Sequence, residues 1–238
     1  MYVIQRAQLA AAPLTKNEAR EKTVKFIDPP FMTFGLSILM RKGDITANIS
    51  NMIDLGSQET IKYGLVGGGS TASFFRDPGR GDVLYRMWAT MDSQQDVSFL
   101  ESVEAGVRRV RESSDSDPYA FIGEKYMLEY HASREPCELK AVDGDVEAYN
   151  GEYHLAVSND LNEDIKHELE DALQHLNDTG RLEELYNKWW IERDQCVPPT
   201  PSSTMVTPEN VTSNYSDRCN SVSIILLLTV LTTRSFAL

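Results

Sequence analysis

The stretch Pro13-Leu14-Thr15-Lys16-Asn17-Glu18-Ala19-Arg20 brings a backbone carbonyl, a hydroxyl and a guanidinium close together in the chain. These are groups that can grip a zwitterion. A guanidinium presents a rigid fork of donors that fits an α-carboxylate, while a carbonyl and a hydroxyl accept from an α-ammonium. Thr15 followed three residues later by Glu18 is also a capping-box pattern, which predicts that Thr15 caps a short helix running to about Lys25. In that case Arg20 is an ordinary exposed arginine, and the stretch alone leaves both readings open.

Two further sites carry usable chemistry. Gly67-Gly68-Gly69-Ser70-Thr71 reads as a tight turn leading from a strand into a helix, with two hydroxyls and free amides suited to a carboxylate. No Gly-Lys-Ser/Thr follows, so it is not a nucleotide-phosphate loop. Glu124 falls just past a short apolar strand over 119–122, where α/β folds collect ligand contacts. It suits an ammonium, and equally an exposed helix start. His131, His154, His167 and His175 lack metal-ligand spacing and read as surface or helix-face residues. No cysteine has a nucleophile signature. Binding rather than catalysis is expected, with no metal and no cofactor.

The elements that must position these groups follow from pattern. Strands are expected over 2–4, 33–40, 61–66, 119–122 and 155–157, with an extended crossing enforced by Pro29-Pro30. Helices are expected near 52–55 and over 83–91, 102–111 and 125–131, with Met87 and Trp88 in the core. Asn159-Asp160 reads as a turn and cap. Ile165, Leu169, Leu173 and Leu176 then form a core stripe ended by Gly180, followed by Leu182, Leu185, Trp189 and Trp190. Residues 198–215 have the composition of a stalk, and 223–231 are apolar but short for a membrane span.

A net charge of −13 argues against nucleic-acid partners and anionic membrane surfaces. Four Asn-x-Ser/Thr sequons, at Asn48, Asn177, Asn210 and Asn214, favour an extracellular setting. Three cysteines (Cys137, Cys196 and Cys219) permit one disulfide and a spare.

Several motifs, taken in order, resemble the ligand-binding core of AMPA/kainate-type ionotropic glutamate receptors. They are Pro13-Leu14-Thr15 with Arg20-Glu21-Lys22, Pro30 to Ile38, Gly69-Ser70-Thr71-Ala72-Ser73-Phe74-Phe75, Tyr85-Arg86-Met87-Trp88, Tyr119 to Glu124 and Asn187-Lys188-Trp189-Trp190. The resemblance covers most of residues 9–196. It implies an α/β, two-lobed, periplasmic-binding-protein-like (type II) fold with the first lobe incomplete. By position, Pro13 offers its carbonyl and Thr15 its hydroxyl to a ligand ammonium, and Glu124 completes the cage. Arg20 clamps the α-carboxylate with amides near Thr15 and Ser70, Thr71 holds a distal carboxylate, and Tyr153 lines the cleft. Cys137 and Cys196 match the family's paired cysteines.

The division implied is 1–42 as a remnant of lobe one, 43–62 as a linker where the receptors carry their pore, 63–152 as lobe two and 153–196 as the return to lobe one. Beyond it come a stalk over 197–221 and a hydrophobic tail over 222–238. Residues 43–62 fall short of the ~20 apolar residues a spanning helix needs. The implied partners are an amino acid (glutamate or glycine) and, in a full-length receptor, other subunits at the outer face of the plasma membrane. A soluble or lipid-anchored amino-acid-binding protein without channel activity, anchored in the latter case by the C-terminal tail, and a non-functional receptor fragment are the alternatives. The departures are Val103 for a lock threonine, Lys125 and Tyr126 for small hydroxyl residues beside the pocket, and Glu152 and His154 for the glycines flanking Tyr153.

Overall fold

The computed structural model describes residues 7–43, 48–77, 81–146 and 149–196. Along the chain run β1 (Leu9–Thr15), α1 (Glu18–Glu21), β2 (Lys25–Phe26), β3 (Met32–Phe34), β4 (Leu36–Arg41), α2 (Met52–Gly56), β5 (Lys62–Val66), α3 (Ser70–Arg76) and α4 (Asp82–Ser93). Then come α5 (Gln95–Ser98), β6 (Phe99–Leu100), α6 (Val103–Arg111), β7 (Tyr119–Glu124), α7 (Lys125–Ala132), β8 (Leu139–Asp143), β9 (Gly151–Val157), α8 (Glu163–Asp178) and α9 (Arg181–Tyr186). A wide π turn over Asn187–Ile191 closes the series. The expected strand at 2–4, the stalk and the apolar tail lie outside the described residues.

The strands form two sheets. The larger has the order β6-β5-β7-β4-β8, with β5 parallel to β6 and β7, and β4 antiparallel to β7 and β8. Helices cover both faces, so its central strands are apolar on both sides. The two-residue alternation of a strand sorts them. Leu36, Ile38 and Met40 of β4, with Ala120 and Ile122 of β7, meet Met52, Phe75, Met87 and Met91 from α2, α3 and α4. Leu39, Tyr119 and Phe121 face the opposite way, onto Val107, Val110 and Leu128 of α6 and α7. Gly106 lets α6 come this close, since a Cβ there would lie 2.5 Å from the Phe121 ring.

The smaller sheet is built around β9, with β1 on one side and β2 and β3 on the other. Ile27, Val157, Leu161 and Leu173 are buried where α8 packs on it. Only part of the predicted stripe is core. Ile165 is 47% exposed, because these short strands offer α8 a small apolar face. The expected strand over 33–40 is two strands, β3 in the smaller sheet and β4 in the larger, parted at Gly35 where the chain changes sheet.

His154 corrects the expectation of a surface histidine. It is 1% exposed, with Nδ1 2.9 Å from the Ile27 carbonyl and Nε2 3.3 Å from Glu152. Its neighbours on β9 and β2 leave the ring no route to solvent, so it ties the sheet to the crossing segment instead.

The end of the described chain is fastened to the larger sheet's layer. The Arg134 guanidinium lies 4.1 Å over the Tyr130 ring and donates to the carbonyls of Trp189 (2.9 Å) and Arg193 (2.7 Å). Trp190 Nε1 donates to the Tyr126 carbonyl at 2.7 Å. A Cys137–Cys196 disulfide completes the fastening, as the resemblance implied. It closes a loop with a sequence separation of 59, worth about 4 kcal/mol by loop entropy. Cys137→Ser is expected to lower the unfolding free energy by about that amount, read from urea denaturation of the oxidised protein.

Candidate functional site

The groups singled out from the sequence meet where the two sheets face each other. Thr15 is not a helix cap. It ends β1, paired in register with Tyr153, and the cap of α1 is Asn17, whose side chain accepts from the Arg20 amide at 3.0 Å. The short amide side chain two residues later fits the cap position once β1 extends through Thr15. The Thr15 hydroxyl is thereby free to leave the chain. It donates to Glu124 Oε1 at 3.2 Å and lies 3.4 Å from the Ser70 hydroxyl.

Glu124 is the hub. It ends β7, so its side chain projects from the strand's carboxyl end. Ser70 Oγ donates to Oε1 at 3.4 Å, and the Tyr153 hydroxyl donates to Oε2. Tyr153, 3% exposed, is held flat by Phe34, with ring centroids 4.0 Å apart. Arg20 Nη1 donates to the Thr15 carbonyl at 2.7 Å, which anchors the guanidinium beside the cluster. Thr71 follows Ser70 on α3 and is 8% exposed. Pro13 is exposed, where β1 slips against β9 between Ala10 and Leu14. Thus Thr15, Ser70, Glu124 and Tyr153 form one hydrogen-bonded group, Arg20 and Thr71 adjoin it, and Pro13 stands two residues before it.

The altered side wall expected at Lys125 and Tyr126 takes another form. Lys125 pairs with Asp143 on β8 at 2.5 Å, and the Tyr126 ring packs edge-on against Tyr186 and Trp190. Both are engaged away from the Glu124 group. One residue escaped the sequence reading. The Tyr149 hydroxyl lies beside those of Ser70 and Thr71, within the field of Glu124 and Arg20. It is buried, yet in bonding geometry with none of them. No local pattern marks it, because it lies in the turn ahead of β9, its amide donating to the Val146 carbonyl at 3.0 Å, rather than in the strand that carries Tyr153.

The electrostatics follow from burial. Desolvation raises the Glu124 carboxyl above its ordinary 4.5, against the opposing pull of Tyr153, Thr15, Ser70 and Arg20. Burial also drives the Tyr153 phenol upward, and the Glu124 charge adds to it. A cation beside Glu124 would offset that desolvation. Two open surface concavities, lined by 92–97 and by Glu104, Val107, Arg108, Arg111 and His131, lack such convergent groups.

Over residues 5–192 the chain matches the bacterial extracellular solute-binding proteins, family 3. It belongs to that family. This solute-binding domain is also 30% identical over 164 residues to glutamate receptor 3 of Homo sapiens and to that of Rattus norvegicus. Those alignments cover 69% of this chain but 18% of each receptor, so the chain spans about a fifth of their length. Among solved structures it resembles the Drosophila muscle GluRIIB complex with glutamate. The TM-score is 0.68 at 31% identity, over 79% of this chain and 69% of that one. The solute-binding domain is a glutamate-receptor-like ligand-binding domain with a periplasmic-binding-protein-like α/β fold. No helix among the described residues is long and apolar enough to cross a membrane.

The raised Glu124 carboxyl has a pH signature. The folded domain holds this proton more tightly than the unfolded chain does. The resulting stability is complete below 4.5 and is lost as pH rises through the raised value. Glu124→Gln removes that loss. Without ligand, the variant is expected to gain on wild type as pH rises above about 4.5 and to hold that gain above the raised value, measured by urea melts at fixed ionic strength.

Proposed function

We propose that the cleft binds a free α-amino acid. The observation that carries the reading is the partly buried Glu124 carboxylate, held by hydroxyls from both sheets with the Arg20 guanidinium alongside. In this assignment Arg20 takes the α-carboxylate as a forked donor. Glu124, the Thr15 hydroxyl and the Pro13 carbonyl hold the α-ammonium. Ser70 and Thr71 face the ligand side chain, and Tyr153 lines the cleft while orienting Glu124. Glutamate is the first ligand to examine, because the resembled Drosophila structure is a complex with it. Ligand contacts from both sheets would draw them together, a hinge closure. In a full-length receptor outside the cell, with further subunits, that closure would be coupled to channel opening.

The family match favours a second reading, in which solute binding is itself the function and no channel is attached. Membrane-spanning segments in the complete coding sequence would decide for the receptor.

Titration calorimetry with the proteinogenic amino acids is the test. A charge-assisted hydrogen bond contributes about 1.5–3 kcal/mol, so Arg20→Ala is expected to weaken binding roughly 10- to 100-fold. Equal affinities in a folded variant, or no heat from folded wild type with any amino acid, would remove the proposal.

A further inference from the structure

The Ser70–Thr71 end of the cleft is filled by the protein's own ring. Tyr149 lies between β8 and β9, wedged against Phe34 (centroids 6.1 Å apart, planes at 54°) and Phe74 (4.8 Å, 87°). Neither neighbour is loose. Phe34 is stacked on Tyr153, and Phe74 is 8% exposed, one helical turn beyond Ser70. Gly151 lets these rings close over the backbone, since a Cβ there would lie 2.4 Å from Phe34 and 2.9 Å from Tyr149. The Tyr149 hydroxyl is thereby driven inward beside Ser70 and Thr71, with its oxygen fully buried. Burial and the Glu124 charge push this phenol up to about 12, so it stays a neutral wall at any physiological pH.

Charge points the same way as size. Arg20 is the cation whose field reaches both Glu124 and Tyr149. An α-amino acid brings one carboxylate for Arg20 and one ammonium for Glu124, which balances the site. A second carboxylate on the ligand would enter near Glu124, where a phenol already stands and where like charges in a low-dielectric cleft repel.

We propose that Tyr149 is a specificity-determining residue that shuts the Ser70–Thr71 end of the cleft and selects α-amino acids with short uncharged side chains (glycine, alanine, serine) over glutamate and other dicarboxylic acids. The proposal rests on the amino-acid-binding reading above and narrows it.

Calorimetric titrations of the whole chain with glycine, L-alanine, L-serine and L-glutamate test it, on wild type, Tyr149→Ala and Tyr149→Phe. Wild type is expected to favour at least one short ligand over glutamate by tenfold or more. Tyr149→Ala should gain glutamate affinity at least tenfold, with short-ligand affinity changing much less. Tyr149→Phe, which keeps the ring, should still exclude glutamate. Wild type preferring glutamate overturns the proposal whatever the variants do, and leaves the amino-acid reading standing. An unchanged ratio in a folded Tyr149→Ala has the same consequence. Silence from folded wild type with all four ligands overturns the proposal, and silence with every proteinogenic amino acid overturns the amino-acid reading as well.

Discussion

The partly buried carboxylate of Glu124 is the constraint around which the rest is arranged. A carboxylate removed from water must find donors, and here they come from both sheets: Thr15 and Tyr153 from the smaller, Ser70 from a helix on the larger. Each donor is placed by ordinary secondary structure. Thr15 and Tyr153 are register partners on β1 and β9, and Ser70 opens a helix after a glycine turn. The polar group thus joins the two layers beside the aromatic contacts that Phe34 of the smaller sheet makes through Tyr149 to Phe74 of the larger layer.

The larger sheet was legible in the sequence, because its strands and helices carry strong apolar runs. Residues 61–66, 83–91, 102–111 and 119–122 were placed within a residue or two of the observed elements. Short pieces were not legible. Phe99–Leu100 and Leu139–Asp143 have too few residues to show a period, and they exist as strands because β5 and β4 offer them an open edge. The smaller sheet was read least well. Its strands are held by β9 and by side chains such as His154, whose burial depends on partners more than a hundred residues away.

The candidate site divides in the same manner. Arg20, Ser70, Thr71 and Glu124 could be singled out from residue type and Tyr153 from family likeness, and the fold brings them near one another between the sheets. Local reasoning misjudged Thr15, because a capping pattern and a strand end look alike until the neighbour at Asn17 competes for the cap. Tyr149 was invisible for another reason: nothing in its own neighbourhood signals a ligand, and its position results from Phe34, Phe74 and Gly151 acting together.

The covalent connections between the sheets have a mechanical consequence. The chain order places β3 and β9 in the smaller sheet and β4 and β8 in the larger, so two connections, one of them at Gly35, join the sheets. A body pinned at two places turns about the line that joins them. The Cys137–Cys196 link adds a third pin, at the far end of an arm whose first helix rides on the smaller sheet. Rotation of one sheet against the other must then be taken up within that arm. Its compliant points are the left-handed Gly180 (φ 71°) and the π turn at Asn187–Ile191, where the helical ladder is interrupted.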